Sequence, residues 1–102
     1  MKDIIAGLVI TASSTLPISA EEHHVIIQDT AFLPKTLSVA RGDTIVFANA
    51  GRSPHTATAV DDSFDTGRIG TGQTVAIAVP AAGSIDFICA YHPSMRGRIE
   101  TD

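Results

Sequence analysis

The sequence predicts an all-β domain, a Greek-key β-sandwich of about seven short strands, and three features carry that prediction. Short runs alternate apolar and polar side chains, which is the period of a strand with one face buried. Clusters of Gly, Pro, Asp and Asn separate these runs at regular intervals. No window of adequate length keeps a helical period. Many short strands with frequent turns point to an antiparallel sandwich.

The first segment reads as a targeting sequence. Met1-Lys2-Asp3 forms a short charged start, and Ile4 to Ile10 is an apolar core. A polar stretch then leads to Ile18-Ser19-Ala20, with a small residue before Glu21-Glu22. The apolar run is too short to anchor the chain across a bilayer. The expectation is a signal peptide over residues 1–20 and one domain over residues 21–102, with an extra N-terminal strand as the other reading of the first segment.

From His24 the strands follow in order. His24-Val25-Ile26-Ile27-Gln28 is β-branched and ends at Asp29-Thr30. Pro34 interrupts, Thr36-Leu37-Ser38-Val39 resumes the alternation, and Arg41-Gly42-Asp43 supplies a turn. Thr44 to Asn49 carries Ile45 and Phe47 on one face, and the loop Gly51-Arg52-Ser53-Pro54 precedes His55. Thr56 to Val60 alternates again, and Asp61 to Thr71 reads as a polar surface connection. Val75, Ile77 and Val79 alternate with small residues, and Pro80 to Gly83 turns the chain into Ser84 to Cys89. Arg98 to Thr101 makes the last strand.

Composition narrows the function. A chain of 102 residues has room for one core, and a domain this small often uses a staple such as a metal. Hydrophobic residues make up 44%, which excludes a disordered chain. The net charge is −4 and the seven Lys and Arg are scattered, so no nucleic-acid-binding surface is expected. With a single cysteine there is no intrachain disulfide. In an exported protein that thiol calls for a partner chain, a free reactive role or a metal.

The chemistry concentrates in Cys89-Ala90-Tyr91-His92-Pro93-Ser94-Met95. Strand parity puts Ile85, Phe87 and Cys89 on one face, so Cys89 points into the core if Ile85 and Phe87 do. His92 and Met95 follow within one tight loop, and Met95 is the only methionine after the initiator. A thiolate, an imidazole and a thioether together select copper over hard cations. Each residue alone has a plainer role: an inert core thiol, a surface histidine, a core-filling methionine. Their joint spacing favours the metal. A trigonal site with a weak axial Met needs a second histidine, for which His23, His24 and His55 are the candidates. His55 follows a Pro-containing loop at the start of a strand, at a sandwich end where loops gather. Nothing places His23 or His24 near Cys89. His55 is the expected ligand.

At these residues the sequence resembles the cupredoxins, and within them the amicyanin and plastocyanin branch. Cys89 to Gly97 looks like the amicyanin ligand loop, and Phe32-Leu33-Pro34, Leu37-Ser38-Val39, Gly42-Asp43-Thr44, Asn49 and Pro54-His55-Thr56 match the family's first half in order. The resemblance spans roughly residues 24–101. It implies a cupredoxin-like sandwich holding one type 1 copper ion through His55, Cys89, His92 and Met95. It further implies a monomeric, periplasmic or secreted carrier that passes single electrons between redox protein partners such as a cytochrome, a dehydrogenase or an oxidase. Neither nucleic acid nor stable membrane insertion belongs to that picture. Two departures are informative. Tyr91 stands where amicyanins carry Pro, so its amide is expected to donate a second hydrogen bond to the Cys89 sulfur and so raise the reduction potential. Thr56 stands where relatives often have Asn, and its hydroxyl can bridge the two ligand loops.

Other readings use the same residues. A periplasmic copper carrier or store would need the same ligands without a redox partner. An enzyme with Cys89 as nucleophile and His92 as base is disfavoured, because a core-facing Cys beside Met lacks a polar, open setting. The Asp61-Asp62 pair with Asp65 is either a solvated loop or a patch that steers a basic partner. Glu21-Glu22-His23 would chelate Cu(II) through backbone nitrogens if Glu21 became the first residue, although a solvated terminus is the plainer reading.

Overall fold

A computed structural model of the chain describes residues 20–80 and 83–102. The expected targeting segment over residues 1–20 lies outside the described residues, Ala20 excepted. Among the described residues no helix is long and apolar enough to cross a membrane.

Eight strands form the domain: β1 Glu22–Ile27, β2 Phe32–Leu33, β3 Thr36–Val39, β4 Thr44–Asn49, β5 Thr58–Ala59, β6 Thr74–Ala78, β7 Gly83–Ile88 and β8 Arg96–Thr101. One sheet runs β2-β1-β4-β6 and the other β3-β8-β7-β5. The all-β sandwich is therefore as the alternation predicts, with differences in detail. β2 is an additional strand, only two residues long, and carries no periodic signal of its own. The sandwich is not purely antiparallel, because β1 pairs with β4 and β3 with β8 in parallel. Parallel partners need a crossover. Here β2 and β3 supply it between β1 and β4, with β3 placed in the opposite sheet.

The inner faces follow from the alternation. Val25 and Ile27 of β1 and Ile45 and Phe47 of β4 meet Leu37, Val39, Ile85, Phe87 and Ile99 of the other sheet, all buried. Phe87 sits at the centre, edge-on to Phe32 at 4.8 Å and to Phe47 at 5.6 Å between ring centroids. Burying one such side chain contributes about 1.5–3 kcal/mol. Gly97 lies opposite Phe87 in the β7–β8 pair, and a Cβ there would run into the Phe87 ring. Gly97 is thus small because the aromatic ring lies across it.

The segment from Asp61 to Thr71 departs from the expected polar connection. Phe64 and Ile69 are buried, and Ile69 pairs antiparallel with His55. Two apolar residues pin this segment into the core, so it forms part of the wall beside His55.

Candidate metal centre

Cys89 is the residue directly after β7 and Met95 the residue directly before β8. The two strands are antiparallel neighbours, so the loop between them must return to its starting point. Three backbone hydrogen bonds close it. The His92 amide donates to the Cys89 carbonyl at 3.2 Å, Met95 to His92 at 2.9 Å, and Cys89 to Met95 at 3.2 Å. Cys89 and Met95 are both buried, while His92 at the loop's crest is exposed.

His55 arrives from the other sheet's end. It exchanges two backbone hydrogen bonds with Ile69, at 3.1 and 2.8 Å, and is wholly buried. Buried Asn49 at the end of β4 ties this corner together. Its Nδ2 donates to the carbonyls of Ser53 and Ile69, both at 2.9 Å, and its Oδ1 accepts the Gly51 amide at 2.8 Å. Asp29, just beyond β1, completes the corner. Its carboxylate accepts the Arg52 and Ser53 amides and the His55 Nε2 proton, the last at 3.0 Å. A Cβ at Gly51 would strike this carboxylate and push it from its place beside His55. With Nε2–H donating to Asp29, the Nδ1 lone pair of His55 is left facing the cysteine.

The donors converge. Cys89 Sγ lies 3.6 Å from His55 Nδ1 and 3.7 Å from His92 Nδ1, with the two imidazole centroids 5.1 Å apart. Bonds from one ion to sulfur and nitrogen run about 2.0–2.3 Å, so these separations suit donors sharing a single metal. The chemistry agrees, because a thiolate with two imidazoles suits copper and, among the described residues, no carboxylate joins this cluster. Expected residues His55, Cys89 and His92 are thus brought together, Met95 closes the same loop, and His24 is exposed elsewhere, on β1.

Charge at the site favours the thiolate. Burial pushes the Cys89 thiol up, but the Thr56 amide, then His55, His92 and the Tyr91 amide more than offset it, bringing the thiol down to about 6. The hydrogen bond with full amide geometry comes from Thr56, at 3.5 Å to Sγ, and Tyr91 adds the weakest of these pulls. Burial likewise opposes charge on His55, yet the Asp29 hydrogen bond and then Cys89 outweigh it and raise its pKa. Hydrogen bonding to His55 in turn lowers Asp29. Thr56 bridges the ligand loops as its sequence position suggests, with Oγ1 accepting the Ala90 amide at 2.8 Å.

Asp29 and the role of Asn49 are not evident from the sequence. Asp29 ends a β-run and has the signature of a turn residue, and it meets His55 only through a separation of 26 residues.

Comparison with known proteins agrees with this geometry. The cupredoxin-like domain family matches residues 4–99. An amicyanin of Paracoccus versutus is 28% identical over 100 residues, covering 88% of this chain and 76% of that protein. The chloroplastic plastocyanin major isoform of Arabidopsis thaliana is 32% identical over 75 residues, 61% of this chain and 45% of that protein. This chain therefore spans less than half of that plastocyanin's length. A solved purple cupredoxin from Nitrosopumilus maritimus superposes with a TM-score of 0.73 at 19% identity, covering 78% of this chain and 99% of that one, which is a likeness of fold. Since the family match runs across nearly the whole chain and the donors at the sandwich end are those the family uses, the chain belongs to the cupredoxins, electron-transfer proteins built around one type 1 copper ion.

Proposed function

We propose that His55 Nδ1, Cys89 Sγ, His92 Nδ1 and the Met95 thioether ligate that copper, and that the protein carries single electrons between redox protein partners outside the cytoplasm. The observation that carries this reading is the convergence of two Nδ1 atoms on one buried sulfur, with only His92 reaching the surface. When bound, copper supplies a one-electron Cu(I)/Cu(II) couple.

The chain's own residues divide the remaining work. Thr56 holds the Cys89 sulfur through its amide and the Ala90 amide through its hydroxyl, so the two ligand loops keep their spacing. Asp29 fixes the His55 ring, and Asn49 fixes the loop that carries it. A frame held this firmly requires little rearrangement when charge changes. His92 offers its exposed edge as the port for electrons, beside half-exposed Tyr91, while His55 stays shielded. Asp61, Asp62 and Asp65 lie exposed, where they would steer a basic partner. Buried Cys89, Met95 and His55 favour exchange of electrons over release of the ion, which speaks for the shuttle over a copper carrier or store. Export rests on the sequence of residues 1–20 and on the resemblance to amicyanins.

The test is spectroscopic and kinetic. Copper-loaded protein should show an intense blue band and narrow copper hyperfine splitting, both lost in Cys89→Ser. Rapid reversible exchange with a small cytochrome supports the shuttle. A colourless Cu(II) complex refutes the ligand set, and slow exchange with efficient copper transfer to an apo-acceptor refutes the electron-carrying role.

A further inference from the structure

The far end of β1 from the copper ligands holds a second group of donors. Asp43 directly precedes β4 after a turn in which Gly42 takes φ +85°, and its carboxylate is buried although no residue of the copper site touches it. Its Oδ1 accepts the Glu21 amide at 3.1 Å, and its Oδ2 accepts the Ala40 amide at 2.9 Å and His23 Nε2 at 2.8 Å. His23 Nε2 also lies 3.9 Å from Glu21 Oε1. Ligand atoms of Glu21, His23 and Asp43 all fall within 4.8 Å of one another. They line a cavity of about 360 Å³, whose wall also includes Ser38 and Asp102.

We propose that Glu21, His23 and Asp43 form a second metal site, selective for a borderline divalent cation of the zinc class, with Asp102 in the same cavity as a further oxygen donor. Three observations point the same way. One imidazole with carboxylates, and no sulfur, is the donor set of borderline divalent ions rather than of Cu(I). Two backbone amides orient the Asp43 carboxylate independently of His23, so the deepest donor is already in place. Two carboxylates grouped with one imidazole, and Asp102 on the same cavity wall, gather negative charge beside an open cavity, which a cation offsets. Binding needs no covalent change. The ion takes the place of the proton between His23 Nε2 and Asp43 Oδ2, and neutral His23 then carries its proton on Nδ1. The route is through side chains. Glu22 and His23 are already paired with Thr44 and Ile45 in the sheet, so a chelate built from their backbone nitrogens would have to unzip β1.

Glu21 and His23 precede or open one sheet, while Asp102 follows β8 of the other, hydrogen-bonded through its amide to Val39 at the end of β3. A cation here would clip the two sheets together at the end remote from the copper. By strand rise, about 3.3 Å per residue, β1 separates the two sites by roughly 20 Å. The proposal does not depend on which residues ligate copper.

The experiment is a Zn²⁺ titration of copper-loaded protein by calorimetry, with the visible spectrum followed in parallel. The expected result is one Zn²⁺ per chain beyond the copper, an unchanged copper spectrum and a raised melting temperature. His23→Gln should weaken this binding at least tenfold. Glu21→Gln, in an exposed side chain whose change leaves the fold intact, should weaken it several-fold, and His24→Gln should leave it unchanged. Absence of a further equivalent overturns the proposal, as does zinc uptake that only displaces copper. Uptake that survives both His23→Gln and Glu21→Gln overturns it equally.

Discussion

The Asp29 carboxylate and the His55 ring are joined by a 3.0 Å hydrogen bond that reaches from the end of β1 to the loop after β4. It decides which imidazole nitrogen faces Cys89, and it places a negative charge behind a ligand. That charge favours the oxidised, more positive site. Asp29→Asn should keep the blue colour, since the ligands remain, but raise the reduction potential by roughly tens of millivolts, where about 59 mV marks a tenfold change for one electron. Protein-film voltammetry of the two proteins checks this. An unchanged potential would mean the carboxylate only organises the loop.

Thr56 makes a second prediction. Thr56→Val keeps the amide that approaches Cys89 Sγ but removes the hydroxyl that accepts the Ala90 amide. One lost hydrogen bond of this kind costs about 1 kcal/mol, and the two ligand loops lose a tether. Copper release to a chelator should accelerate about tenfold, in the range seen when groups supporting metal ligands are removed. Stopped-flow chelator competition measures it, with urea denaturation reporting the stability loss.

A third prediction lies in the core. Gly97→Ala sets a methyl group against the Phe87 ring. Overpacking of this sort costs about 1–3 kcal/mol, which in a domain this size lowers the melting temperature by on the order of 10 °C. Thermal unfolding of apo and copper-loaded forms should show the same direction of change, because the strain is in the sheet and not at the ligands.

The fourth concerns pH in the copper-free protein. Cys89 is lowered from 9.0 to about 6, so its contribution to stability is present above pH 9 and is lost as pH falls through 6. His55 works with the opposite sign. Its pKa is raised, so its contribution is present below 6.5 and is lost as pH rises past its folded value. The thiolate absorbance near 240 nm should therefore titrate with a midpoint near 6, and His55→Gln should move that midpoint upward. A midpoint at the ordinary thiol value in the unaltered protein would contradict the geometry around Sγ.

Legibility from the sequence followed how local each signal was. Thr36–Val39 and Thr44–Asn49 are strands at the expected positions because alternation is a property of neighbours. Period-2 alternation assigns faces but not partners, so the parallel pairings of β1 with β4 and β3 with β8 were invisible. Cys89, His92 and Met95 sit within one loop and could be read together. His55 was reached by comparing three histidines and by the resemblance at Pro54-His55-Thr56, and Asp29 not at all, since its aim at His55 depends on how β1 lies beside β4. Phe64 and Ile69 went unread for a similar reason, being single apolar residues in a segment that is otherwise polar.

The parallel β1–β4 ladder runs unbroken from Glu22 opposite Thr44 to Ile27 opposite Asn49. Asp43 lies just before one end of that ladder, and Asp29 lies just past the other. A slip of one residue would turn Val25 and Ile27 out of the core. It would also separate His23 from Asp43 and draw Asp29 away from His55 in a single error. Misregistered chains would therefore be defective at both ends at once.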